Sequence, residues 1–266
     1  MARPPRSAEM PFLDHLEELR QRLMRAAGAF IIGIIAAFTI VTNVDIIGFL
    51  QRPIRPYLGG RTLVYTHPGD VFGILLDMSF VLGAIIASPV IAYQIWLFVS
   101  PAMLPREKRM VIPVLAGMLV LFLAGLSLSF FVVLPLTMKF LLGLQVETLT
   151  PMITASDYFG FAVSMSLMFG IAFELPIAIL ALTALGIVTP QMLVQFRRHA
   201  AIGVLVLSAF VTPGSDPTSL VALAVPLYFL YELSVVMSKT LHRSRRKREA
   251  RKAARERAEE QLGSPA

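Results

Sequence analysis

The chain has 266 residues, of which 56% are hydrophobic and only 15% charged, with a net charge of +7 and a mean hydropathy of +0.72. Soluble domains carry about 25% charged residues, so this composition belongs to a membrane protein. Cysteine is absent, which excludes disulfides, thiolate metal sites and cysteine nucleophiles, and the four histidines (His15, His67, His199 and His242) are too scattered for metal ligation, so no metal and no cofactor is expected.

The first element is "PFLDHLEELRQRL". Its apolar residues Phe12, Leu16, Leu19 and Leu23 fall on one helical stripe, with Asp14, Glu17, Glu18, Arg20 and Arg22 off it. This predicts an amphipathic helix at the membrane surface. Four acids (Glu9, Asp14, Glu17 and Glu18) are unusual in a segment that should attract anionic lipid, and they offer a surface to a basic partner.

Apolar runs follow over 24–43, 72–99, 111–135, 158–185, 200–212 and 218–237. A hydrocarbon core of about 30 Å takes about 20 helical residues, so these are expected to be six transmembrane helices. The first is read as a span rather than a cleaved leader, because no small-residue cleavage site follows it. The second and fourth are too long to stand upright and are expected to tilt, curve or project. The fifth, about 18 Å long at 1.5 Å per residue, is too short for an ordinary bilayer and needs shielding or local thinning.

Between the runs, 44–71 is expected to form an ordered cap and 136–157 a second loop on the same side, with Ser156 or Asp157 capping the fourth span. On the other side, "FVSPAMLPREKR" (98–109) is stiffened by Pro101 and Pro105 and holds Glu107 among three basic residues. Three acids lie within runs. Asp77 and Glu232 are near enough to helix ends to reach headgroups. Glu174, in "FGIAFELPIAIL", is about 24 Å along its run, and no Lys or Arg in any run can pair with it. An acid at mid-bilayer costs about 2.5–3.5 kcal/mol even on permissive scales, so Glu174 marks a polar site, widened by Pro176 two residues on.

With both termini in the cytoplasm, the inner segments hold twenty Lys or Arg and the outer ones four. This satisfies the positive-inside rule with an even number of spans. The domain reading is an amphipathic segment over 1–23, a six-helix membrane domain over 24–237, and a basic cytoplasmic tail over 238–266. The tail has no interleaved aromatic residues for stacking on bases, so it is read as an anchor on anionic lipid rather than a nucleic-acid site.

Taken together, "HLEELRQRL" before the first span, "WLFVSPAMLPREKR" in the first inner loop, "FELP" in the fourth span and "VTPGSD" ahead of "VPLYFLYE" resemble the TatC family, the multispanning receptor subunits of the twin-arginine protein translocase. The resemblance covers roughly residues 10–237. It implies an all-α polytopic fold, a concave glove-like bundle with short fifth and sixth helices, in a prokaryotic plasma membrane. It implies a non-enzymatic receptor for folded export cargo, driven by the proton gradient. Glu18 and Glu107 match the family's site for the paired arginines of a signal peptide, and Arg20, Phe98, Pro101, Leu104 and Pro53 match positions that shape that pocket or the fold. Glu174 is implied as a contact for single-span partners of the TatA/TatB type, with Thr212 and Asp216 as further partner-contact positions ahead of the sixth span, and self-association in a multi-copy complex is also implied. Leu220 stands where many relatives carry glutamine, so the polar contact of the sixth span is reduced here. The rival reading is a proton-coupled small-molecule transporter using Glu174, against which stands the absence of a visible inverted repeat.

Overall fold

The computed structural model describes residues 12–58, 60, 62–100, 111–143, 152–184, 186–211 and 217–262. Among these the regular structure is helical: α1 (Phe12–Asn43), α2 (Ile46–Leu50), α3 (Asp70–Val99), α4 (Val111–Leu128), α5 (Leu134–Gly143), α6 (Ala155–Ala172), α7 (Leu175–Ala184), α8 (Pro190–Gln195), α9 (Arg197–Val211) and α10 (Pro217–Leu262). The only β pairing among them is one isolated parallel bridge, Val64 with Thr154.

Among the described residues, five stretches are long and apolar enough to cross a membrane: Leu16–Asn43, Asp70–Val99, Val111–Gly143, Ala155–Thr183 and Leu220–Thr240. The sixth apolar run becomes the shortest of the five, as expected, but it is part of a 46-residue helix that carries straight on into the basic tail. The fifth run becomes α9, 15 residues or about 22 Å, and it packs on α10.

Three boundaries differ from the sequence reading, each for a local reason. The amphipathic segment and the first span are one 32-residue helix, since nothing between Leu23 and Met24 breaks it. The third run does not stop at 135. Pro135 has no N–H to donate, and the chain absorbs this with a π turn over Ser129–Val133, in which the N–H of Leu134 reaches back five residues to the carbonyl of Ser129. The helix then continues to Gly143, so the following loop is shorter than the expected 136–157. The fourth run breaks at Phe173–Glu174, one turn before Pro176, in the manner in which a helix-interior proline frees the preceding carbonyl.

The bundle is assembled in chain order across its width. α1 lies against α3, which also meets α4 and α6; α4 packs on α6, and α7 and α9 pack on α10. Two of these crossings depend on glycine. A Cβ on Gly33 of α1 would come 2.6 Å from the carbonyl oxygen of Gly83 on α3, and one on Gly125 of α4 would come 2.5 Å from that of Phe169 on α6. Such close backbone approach is how membrane helices gain dispersion energy, because lipid supplies no hydrophobic drive between them. On its far side α1 turns Ile31, Ile32 and Ile35 outward, as a lipid-facing edge does.

The largest core cluster joins Val41, Ile54, Ile74, Met78, Phe130, Leu134, Tyr158 and Phe159 at the end of the bundle where the 44–69 segment folds over. That segment is the expected ordered cap. The hydroxyl of Tyr158 donates to the Leu50 carbonyl at 2.7 Å, and the N–H of Ala155 to that of Val64 at 2.7 Å. Asp45 caps α2, and Thr154, rather than Ser156 or Asp157, caps α6 by accepting from the N–H of Asp157.

Candidate functional site

The candidate residues occupy both ends of the bundle and the break between α6 and α7. Glu18 lies in the second turn of α1. One of its carboxylate oxygens accepts from Nε of Arg22 at 3.0 Å and from Nη2 at 2.6 Å. The pair is the favourable helical arrangement, acid four residues ahead of base. Both side chains are sheltered, at 18% and 19% exposure. The apolar stripe behaves in the opposite way, with Leu16, Leu19 and Leu23 all exposed. The amphipathic helix is therefore turned with its leucines outward and the Glu18–Arg22 pair inward, the orientation suited to a helix end dipping into lipid. Arg20 sits apart from this pair, with its side chain 78% exposed and 3.9 Å from Glu17.

Phe98 is half-buried in the last turn of α3, next to the buried Trp96. Pro101, Leu104 and Glu107 lie outside the described residues, as do Thr212 and Asp216. Pro53 is half-buried in the cap, beside Arg52, Pro56, Tyr57, Phe130, Phe131 and Pro135. Glu18 and the cap end of α1 are 25 residues apart along that helix, roughly 37 Å. Pro53 therefore sits with the cap, at the far end of α1 from Glu18.

Glu174 stands in the turn between α6 and α7, where its carbonyl starts the new helix by accepting from the N–H groups of Ile177 (3.1 Å) and Ala178 (3.0 Å). Pro176 is fully buried as the second residue of α7, where a missing N–H costs nothing. The carboxylate is half-buried, and its Oε2 has no hydrogen-bond partner among the described residues. Such an orphaned acceptor is costly in an apolar setting and calls for a donor from elsewhere. Glu174 lies nineteen residues from Ala155 and nine from Thr183, so it is displaced from the middle of its span toward the α8 end.

Glu232 does not reach for headgroups as expected. Its Oε2 accepts from Nη2 of Arg197, the first residue of α9, at 2.7 Å, and its Oε1 from the hydroxyl of Tyr228 at 3.3 Å. Nearby, Tyr231 donates to the Leu193 carbonyl at 2.6 Å, and Thr183 and Ser238 share a hydrogen bond of 3.0 Å. These contacts tie α7, α8, α9 and α10 together at the tail end, a network the sequence reading missed because its members are 35 to 55 positions apart. It also passed over Gln94, one turn before Phe98, whose buried Oε1 has no partner among the described residues. An amide inside "AYQIW" was the available signal.

The family model for TatC, described as Sec-independent protein translocase protein, matches residues 14–226. The chain is 40% identical over 246 residues to the Sec-independent protein translocase protein TatC of Aquifex aeolicus, covering 92% of this chain and all of that one. It is 38% identical to the protein of the same name from Deinococcus radiodurans, covering 89% of this chain and 88% of that one. Its fold matches a crystal structure of the twin-arginine translocase receptor TatC with a TM-score of 0.74 at 38% identity, over 85% of this chain and 98% of that chain. A membrane-embedded helical chain that matches this family over nearly its whole length, and its solved fold as well, belongs to the TatC family of Sec-independent protein translocase proteins.

Proposed function

We propose that this chain is the receptor of a twin-arginine translocase, taking the signal peptides of folded cargo at its Glu18 end and recruiting single-span TatA/TatB-type partners for export. In this reading the chain has six spans, with α9 as the fifth, both termini in the cytoplasm, and a concave face on which Glu174 is presented. The observation that carries it is the Glu18–Arg22 pair: this sheltered carboxylate already holds a guanidinium at 2.6 Å. Guanidinium is planar and offers several donors in a fixed fork, whereas a lysine ammonium is a compact point charge, so such a seat prefers arginine. Glu18 and Glu107 then take the two cargo arginines, with Phe98, Pro101 and Leu104 shaping the pocket, and the apolar part of the signal runs along the bundle toward Glu174.

The unmatched oxygen of Glu174 supports the second half of the reading. It would accept from a polar residue in a partner's membrane helix, and Thr212 and Asp216 would add a separate polar contact ahead of the sixth span. Interhelical hydrogen bonds in membranes are worth about 0.6 to 2 kcal/mol, enough to bias assembly without locking it. Several copies of the chain assemble in the resting receptor, and the proton gradient drives transport. The translocase relatives weigh against the small-molecule transporter.

The test is binding of a twin-arginine signal peptide to the purified chain, beside a Lys-Lys peptide, Glu18→Gln and Glu107→Ala. The expected result is binding to the wild type, reduced about tenfold or more by each change, in line with the loss of one charge-assisted hydrogen bond. Equal binding in all four arms would sink the receptor reading.

A further inference from the structure

Between α8 and α10, at the tail end of the bundle, lies a cleft of about 450 Å³ lined by Pro190, Gln191, Val194, Gln195, Lys239, His242 and Arg243. We infer that this cleft is a binding site for the phosphate headgroup of an anionic phospholipid. None of its residues belongs to the Glu18, Glu107 or Glu174 sites, and the inference stands apart from the receptor reading.

Three features point to lipid. The first is charge. Lys239, His242 and Arg243 fall at i, i+3 and i+4 on α10, so they share one face and converge on the same space. No carboxylate lines the cleft among the described residues. On the same face the preceding acid is Glu232, seven residues or about 10 Å earlier, and it is already engaged by Arg197 at 2.7 Å.

The second feature is depth. The apolar span of α10 ends at Thr240, between Lys239 and His242. The cationic groups therefore sit at the level where hydrocarbon gives way to headgroups, which is where basic pockets between helices capture anionic lipid. The third is the opposite wall. Pro190 and Val194 give it an apolar surface suited to a glycerol backbone, while Gln191 and Gln195, one turn apart on α8, supply amides for headgroup hydroxyls. A soluble anion would use the charge and leave the apolar wall idle. A phospholipid uses all three features.

The experiment is native mass spectrometry of the full-length chain released from detergent with phosphatidylglycerol or phosphatidylcholine. The wild type is expected to retain one phosphatidylglycerol in preference to phosphatidylcholine. The double variant Lys239→Gln with Arg243→Gln is expected to weaken this about thirtyfold, each basic residue near a membrane surface contributing roughly fivefold. Replacing Arg245, Arg248 and Lys252 by Gln, at positions off the i, i+3, i+4 face of α10, is expected to preserve that lipid. Gln195→Lys adds a charge to the cleft and is expected to tighten binding, a gain that misfolding cannot produce. Retention of phosphatidylcholine equal to that of phosphatidylglycerol, or an equal loss in the cleft and tail variants, overturns the proposal. So does displacement of the lipid by millimolar inorganic phosphate, which would make the cleft a site for free anions.

Discussion

The two ends of the bundle are held together by different forces. At the cap end, eleven buried residues from Val41 to Ala162 form one continuous apolar cluster, and the side-chain hydrogen bond from Tyr158 to Leu50 ties the cap to it. At the tail end the apolar cluster is small, Ile179, Leu193, Tyr231 and Val235, and the helices are joined by the Arg197–Glu232, Tyr231–Leu193 and Thr183–Ser238 contacts. Packing is insensitive to salt and binds no solute. Polar ties are weaker singly, respond to ionic conditions, and leave acceptors such as those of Glu174 and Gln94 available on the same half of the molecule. The cap end is thus held by packing, and the tail end by polar ties that leave acceptors open.

Hollowing the cap should therefore have the largest effect. Phe159→Ala removes a ring that is 1% exposed and should cost about 3–5 kcal/mol, read as a fall of the thermal midpoint in detergent. If the loss were no greater than at the tail end, the contrast would fail. Gly125→Val comes next. Its side chain would press on the Phe169 carbonyl and force α4 from α6, at about 1–3 kcal/mol, measured in the same way. Tyr158→Phe leaves the Leu50 carbonyl unmatched and should cost about 1–3 kcal/mol, with faster proteolysis of the 44–69 segment as its signature.

The smallest effect sharpens the comparison most. Glu232→Gln removes one half of an ion pair whose side chains are 30–40% exposed, so the expected change is about 1 kcal/mol or less. Its mark is dependence on salt: proteolysis near α8 and α9 should differ between variant and wild type at low ionic strength and converge near 1 M salt. A wild-type cap that loosened equally in salt would show that the two ends are not held differently.

Much of this architecture was readable beforehand. Each apolar run yields a helix, because 20 apolar residues in lipid must satisfy their backbone groups internally. The short fifth run and the cap over 44–69 were readable for the same reason. Less visible were places where proline acts at a distance. Pro135 is accommodated by a π turn instead of ending its helix, and Pro176 breaks its helix two residues earlier, at Glu174. Both outcomes are available to a membrane proline, and neighbouring helices select between them.

The site divides in the same way. Glu18, Glu174 and Glu232 were conspicuous as acids where acids are costly, a property of the sequence alone. Their circumstances were not. Glu18 is held by Arg22, a local pairing at i,i+4 that spacing permits but does not require. Glu232 is held by Arg197, 35 residues away, which only the docking of α9 on α10 brings within reach. The Glu174 side chain meets no hydrogen-bond partner among the described residues, and the turn that carries it was made by a break in its own helix. The sequence by itself determined that this chain lives in a membrane, which segments are apolar enough to form its helices and where charge is out of place, since those follow from transfer energies summed residue by residue. Which charges are matched and which stand open was decided by tertiary structure, because a counterion's worth depends on a distance that no linear spacing contains.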